Sequence, residues 1–329
     1  MADAKGIYIL AELDEGLKPT SLTLELMGLG QRLASDLATD LNAVLLGSGA
    51  QAAAQELARY GTGEVLLLDE PALSGYHPEI YIEVLAGLLR SRPPLVLLAG
   101  HTSMGQDLLP RLAFALDCGL VSDCVGLRVE GEEVLFTRPV YGGNALATQR
   151  VETPTAMATV RARVGDAPSP AGTAAAVIPL EVSPPAQTRL EMKGKEVLSG
   201  RECPLEEAPV VVSGGRGMGG EEGFGQLREI AALMGGAVGA SRPPVDSGWA
   251  ASTCQVGITG KVVAPDIYIA VAISGSTQHL SGMSESGKIV AINKDPDAYI
   301  FKVSDYGVVG EWKQLLPSFT AALKELPKV

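Results

Sequence analysis

The sequence predicts an α/β protein with two parallel-sheet domains, and three observations carry that prediction. Short runs of Val, Ile, Leu and Ala alternate with helical patterns through the first 116 residues, as βαβ crossovers require. The runs are apolar without alternation, as in strands covered on both faces. A second cycle of strand, glycine-rich loop and helix begins near residue 209, and 329 residues suffice for two domains of ordinary size.

In order, residues 6–12 (GIYILAE) read as a buried strand. Residues 20–37 read as a helix, with Leu22, Leu26, Leu29, Leu33 and Leu37 at three- and four-residue steps and Thr20 or Ser21 as its cap. Residues 42–46 and 65–68 are strands that flank an Ala-rich helix over 51–59, stopped by Gly61. A helix over 78–89 leads to a strand over 95–99. The turn GHTSMGQD (100–107) then opens a helix over 108–116. This turn has two readings: a helix cap by Thr102 or Ser103, which is favoured, or a nucleotide phosphate on the helix N-terminus. His101 alone is no catalytic signal.

From Val121 the rhythm changes to short alternating runs split by EGEE and YGGN (141–144), and 157–163 looks like a further strand. The pattern reads as an antiparallel meander that extends the first sheet, with the glycine pair as a turn. A strand-poor, Pro-containing stretch follows. It places the boundary within 165–208, with an N-terminal domain over 1–200 and a C-terminal domain over 205–329.

The C-terminal domain opens on a strand (210–212), the loop SGGRGMGG, and a helix over 221–234 with Phe224, Leu227, Ile230, Ala231 and Met234 on one face. No Gly-Lys-Ser/Thr stands at Walker spacing. Gly215, Gly217 and Gly220 fit G-x-G-x-x-G, but no acidic residue ends a second strand about 20 residues on. What remains is backbone able to approach a ligand, helix N–H groups suited to an anion, and the cation of Arg216. Arg242 stands on a stiff loop before two prolines. Strands over 267–273, 289–292 and 299–303 and a helix over 311–326, bent or divided by Pro317, complete the chain. SGSTQH leaves the C-terminal end of its strand, where open α/β sheets gather ligands.

Composition excludes several functions. The net charge of −12 and pI of about 4.8 oppose nucleic-acid binding, which needs a basic face. No apolar run reaches membrane-span length, and no signal or transit peptide is apparent. Cys118, Cys124, Cys203 and Cys254 form no CxxC, so no metal or cluster site is expected and all four read as reduced cytosolic thiols.

The motifs VVSGGRGMG, VGASRPPVDSGW, QVGITGKVVAPDIYIAVAISGSTQHLSGM, IVAINKDPDAYIF and SDYGVV, between 210 and 309, together resemble the α subunit of electron transfer flavoprotein, the FixB-type family. GQDL and the YGGNA loop carry a looser resemblance in the first half. The resemblance implies an adenine-nucleotide-hydrolase-like N-terminal domain without hydrolase activity, and a doubly wound, DHS-like FAD-binding domain. It implies a β subunit as partner, one FAD, and no catalytic residue. Arg216 matches the glycine-loop arginine, and Ser241 and Arg242 match the loop near the isoalloxazine ring. Val256, Gly257, Ile258 and Thr259 match the loop whose threonine hydrogen-bonds flavin N5. Ser274, Gly275, Ser276, Thr277, Gln278 and His279 match the loop along the pyrimidine and ribityl-phosphate. Asn293 matches an adenosine contact, and Glu311 and Trp312 the adenine end. His279 or Arg242 would then supply a donor or cation where reduction places negative charge on N1–C2=O. Ile258 departs from the family, where a glutamine is common. A backbone contact is expected to survive there, a side-chain hydrogen bond is not.

The implied function is electron carriage in the bacterial or archaeal cytoplasm, free or peripheral to a membrane complex. Electrons would pass from dehydrogenases, of acyl-CoA type in fatty-acid β-oxidation, to a quinone reductase or ferredoxin. The alternative is the α subunit of an NADH-oxidising, electron-bifurcating complex. A plain nucleotide-binding or NAD-dependent enzyme on a doubly wound fold is the third reading.

Overall fold

The computed structural model describes residues 4–60, 63–143, 145–170, 174–181, 183–185, 187–194, 205–206 and 208–325. The chain forms two compact units. One holds residues 1–140 and 146–196; the other holds 197–329 together with the excursion 141–145. The expected helix stop at Gly61, Cys203, Asn144 of the YGGN loop, Leu326, and residues 195–204 of the expected boundary all lie outside the described residues.

The first unit runs β1 (Ile7–Ala11), α1 (Ser21–Asp36), β2 (Leu41–Gly47), α2 (Gln51–Ala58), β3 (Glu64–Asp69), α3 (Pro78–Ser91), β4 (Val96–Gly100) and α4 (Ser103–Leu116). It continues with β5 (Gly119–Cys124), β6 (Gly126–Glu130), β7 (Glu133–Val140), β8 (Ala145–Arg150), β9 (Ala156–Val160) and β10 (Ala176–Pro179). Seven strands make one sheet in the order β10-β3-β2-β1-β4-β9-β5, every pair parallel. Alternate residues of β1 explain its two covered faces. Ile7 and Ile9 pack with α1 and α2, while Tyr8 and Leu10 pack with α3 and α4.

The expected meander is corrected here. Only β6, β7 and β8 form a separate three-stranded sheet, antiparallel where β6 meets β7. The last of the expected meander strands, β9, instead inserts in parallel between β4 and β5. All five of its residues are buried, so it needs cover on both faces, which a meander open to water cannot give. β10 is a further departure: the strand-poor stretch supplies a parallel edge strand beside β3.

The second unit runs β11 (Val210–Gly214), α5 (Glu221–Leu233), β12 (Ala237–Ala240), α6 (Arg242–Asp246), β13 (Ile267–Val271), α7 (Thr277–Leu280), β14 (Lys288–Asn293), β15 (Tyr306–Val309) and α8 (Trp312–Glu325). Its parallel sheet has the order β12-β11-β13-β14-β15. Val210, Val212, Ile269 and Val271 face α5 and α8. Val211, Tyr268 and Ala270 face Val256, Val263, Met283 and Ile300, which come from loops and turns rather than long helices.

Three expected elements change. Residues 299–303 are not a strand: Tyr299–Lys302 is a 3₁₀ turn, and the strand is β15. The turn wins because Ile300 is fully buried and its N–H is donated to the Ser274 carbonyl, away from the ladder. Arg242 begins a short helix rather than a loop, since proline is tolerated in a first helical turn. Pro317 lies inside α8, which is one helix and not two.

Candidate functional site

In a doubly wound sheet the ligand crevice lies where the strand order reverses, outside the carboxyl ends of the two central strands. In the first unit that point falls between β1 and β4, and in the second between β11 and β13.

In the first crevice the chain's own groups meet the first turn of α4. Thr102 caps α4 by accepting from the Gly105 N–H, and donates its own hydroxyl proton to the Glu12 carboxyl at 2.8 and 3.0 Å. Glu12 follows β1 directly, so the chain's own acid stands beside the first turn of α4. Burial pushes this carboxyl up to about 7, against the opposing pull of the Thr102 hydrogen bond. Of the two readings of GHTSMGQD, the cap is therefore the one built, and its N-terminus faces a carboxyl rather than free space. His101 donates or accepts at Thr159 Oγ1 through Nδ1 (2.8 Å), and its Nε2 lies 3.5 Å from Asp123. A cavity of about 340 Å³ opens beyond Glu12, lined in part by Asp14, Ser48, Tyr76 and Tyr81.

The second crevice is built differently. β11 ends at Gly214, and the backbone turns through a 3₁₀ turn, Arg216–Met218, into α5. Gly215 must be glycine, because a Cβ there would overlap the Ala272 carbonyl oxygen. Ala272 itself takes a left-handed φ of 53°, uncommon for a residue with a side chain, where β13 turns into the 274–279 loop. So this glycine serves close packing of two strand ends. Arg216 is exposed and makes no ion pair among the described residues.

Beside this loop, Trp312 is buried and donates its indole N–H to the Gly217 carbonyl at 3.0 Å. Asn293 is also buried. Its Nδ2 donates to the Ile273 carbonyl (2.8 Å) and its Oδ1 accepts from Asp295 N–H (3.0 Å). Glu311 is exposed and lies 3.5 Å from Lys294. With Gly217 and Gly310 these residues line a notch of about 40 Å³, room for one edge of a ligand. Asn293 and Trp312 thus spend their side-chain groups on the fold.

The loops after β12 and β13 are tied together. Ser241 is buried and donates its backbone N–H to Gly214 O at 3.0 Å. Arg242 is exposed, with Nε 3.2 Å from Asp246 on the next turn. Val256 N–H is donated to Ala240 O, Gly257 N–H to Lys261 O and Ile258 N–H to Gln278 O. The Ile258 amide is therefore consumed inside the protein, so a backbone contact from this residue to a ligand falls to its carbonyl. Its side chain is 61% exposed. Thr259 Oγ1 accepts from Gln255 Nε2 at 3.0 Å, and its own hydroxyl proton has no acceptor among the described residues. Ser274, Ser276, Thr277 and Gln278 are exposed, whereas Gly275 is buried against Ile300.

His279 departs most from expectation. It is 4% exposed, with Nδ1 3.1 Å from the Val256 carbonyl and Nε2 2.9 Å from the Tyr268 hydroxyl. Desolvation pulls its pKa down to about 4. A buried neutral ring with both nitrogens engaged is no cation for a developing negative charge. Of the two candidates for that role, Arg242 alone keeps an exposed charge. Sequence reasoning missed Tyr268 and Glu12. A tyrosine inside an otherwise aliphatic buried strand needs a polar partner, and that was the available signal for Tyr268.

The loops at this sheet edge expose hydroxyls and two guanidinium groups, donors suited to a polar, anionic ligand. The electron transfer flavoprotein domain model matches residues 7–185, and the electron transfer flavoprotein FAD-binding domain model matches residues 204–284. Protein FixB of Clostridium saccharobutylicum is 42% identical, covering 99% of this chain and 98% of that protein. The electron transfer flavoprotein α subunits of Megasphaera elsdenii and Bacillus subtilis are 41% and 39% identical, each covering at least 98% of both chains. FAD is the cofactor this family implies, and the free hydroxyls, Thr259 proton and guanidinium groups of the second crevice fit it. The chain belongs to the electron transfer flavoprotein family as an α subunit, an electron-transfer protein whose partner is a β subunit.

Proposed function

We propose that the crevice between β11 and β13 is where this chain holds FAD, and that the first unit docks the β subunit. The observation that carries the site is the set of unspent polar groups along one sheet edge, on loops whose backbone is already tied. Arg216 supplies positive charge beside the glycine loop. Ser274, Ser276, Thr277 and Gln278 offer side-chain groups after β13. Thr259 donates its hydroxyl proton, while one of its oxygen lone pairs accepts from Gln255. Arg242 offers a cation near Ser241, tempered by Asp246. Asn293, Glu311 and Trp312 shape the far notch, through backbone and packing for Asn293 and Trp312. Bound FAD supplies the redox-active ring, and the chain's residues bind it, orient it and exclude water. No helix among the described residues is long and apolar enough to cross a membrane.

We further propose that the electrons come from dehydrogenases of acyl-CoA type in the cytoplasm and pass to a quinone reductase or ferredoxin. The chain is co-expressed with its β subunit and FAD per heterodimer is read from visible absorbance. Arg216→Ala and Thr259→Val are expected to lower FAD retention and shift the flavin spectrum. Wild-type retention and spectra in both variants would remove these loops from the site. An acyl-CoA with its dehydrogenase is expected to bleach the flavin; bleaching by NADH alone would contradict the carrier assignment.

A further inference from the structure

Tyr268 lies on β13, fully buried, with its hydroxyl 2.9 Å from His279 Nε2. The Val256 carbonyl, 3.1 Å from His279 Nδ1, can only accept, so Nδ1 carries the proton. The ring is neutral, which leaves Nε2 a bare lone pair, and the Tyr268 O–H must donate to it. One phenol thus fixes the tautomer that grips Val256. Two further bonds complete the clip: Val256 N–H to Ala240 O at 2.9 Å and Ile258 N–H to Gln278 O at 2.8 Å. Ser213 Oγ, buried beside the phenol, makes no hydrogen bond of standard geometry among the described residues, yet it stands close enough to the Tyr268 hydroxyl to favour the ionised phenol. If the ring turned over or shifted, nothing else described would hold the Val256 carbonyl.

We propose that Tyr268 is a positioning residue for the flavin site: through His279 it fixes the spacing of the 256–259 loop, which carries Thr259, against the 274–279 loop. This rests on the reading that those two loops hold FAD. A purely space-filling Tyr268 would be replaced by phenylalanine without consequence. Loss of the donor leaves a buried acceptor unsatisfied, or frees the ring to exchange tautomers and release Val256.

The test uses Tyr268→Phe, which keeps the ring. The chain has three histidines, so selective ¹⁵N-histidine NMR of the full-length protein resolves them, and the resonance lost in His279→Gln identifies His279. Wild type is expected to show a single Nδ1–H tautomer that does not titrate between pH 8 and 5.5. Tyr268→Phe is expected to show mixed tautomers and titration within that range. In the FAD-loaded heterodimer the same variant is expected to hold FAD about tenfold more weakly and to change the midpoint potential, as loss of one buried hydrogen bond implies. The control is Thr259→Val, which touches the loop without touching the clip. An Nε2–H tautomer in wild type would overturn the proposal. So would a Tyr268→Phe heterodimer with wild-type affinity and potential while Thr259→Val shifts them. If neither variant shifts them, the flavin-loop reading itself fails, and the proposal with it.

Discussion

The two units present the same topological opening and treat it oppositely. Between β1 and β4, Glu12 and Thr102 occupy the crevice, so the anion-favouring first turn of α4 meets the chain's own carboxyl. At the carboxyl ends of β11 and β13, Arg216 and the hydroxyls of the 274–277 loop are exposed and have no side-chain partner among the described residues. Topology decides where a ligand can sit in a doubly wound sheet. The side chains at the strand ends decide whether that place stays open.

The largest effects should come from the close approach both crevices share. A Cβ at Gly105 would overlap the Gly100 carbonyl, as one at Gly215 would overlap that of Ala272. Gly215→Val is expected to cost about 3 kcal/mol or more and to abolish flavin retention, because overpacking against backbone cannot relax. Gly105→Val is expected to cost a similar amount while the molecules that fold keep flavin. Calorimetry with flavin absorbance checks both; loss of flavin in folded Gly105→Val would blur the division of labour between the units.

Next comes pH, where the two units should slope in opposite directions. His279 has its folded pKa depressed, so the unfolded chain binds its proton first. Its contribution is present above about pH 6.5 and is lost as pH falls towards 4, up to about 3 kcal/mol. Glu12 has its folded pKa raised from 4.5 to about 7, so the folded state holds that proton longer. Its contribution is present below about 4.5 and is lost as pH rises through 7. Denaturation midpoints between pH 4.5 and 8 should show Glu12→Gln flattening the alkaline side and His279→Gln the acid side. Parallel profiles for both variants and wild type would contradict the burial of these groups.

Smaller effects concern the proposed flavin contacts. Thr259→Val removes one hydrogen-bond donor and is expected to shift the flavin midpoint potential by about 40 mV, the one-electron equivalent of ~1 kcal/mol. Arg242→Ala should lower the potential by less, because the guanidinium is exposed and shared with Asp246. A spectroelectrochemical titration orders the two, and a larger shift for Arg242→Ala would mean that its exposed charge dominates the site.

Much of this was legible beforehand because it depends on local pattern. The helix at Thr20, the strands of Val, Leu and Ile and the glycine loop after 212 all stand where periodicity and caps put them. β9 was misplaced because a five-residue apolar run does not say which neighbours it pairs with. The 3₁₀ turn at Tyr299 is not legible in YIF, whose composition is that of a strand, because the packing of Ile300 beside Gly275 decides it.

Sequence by itself determined the two parallel sheets and the loops that carry polar groups, since these follow from local spacing and composition, and its motifs carried the family resemblance. Tertiary structure alone decided which of those groups remain available. Ile258 N–H, Asn293, Trp312 and His279 are spent on internal partners, and Glu12 on Thr102 at the first turn of α4, because burial obliges each polar group to find the partner that only the folded chain brings within reach.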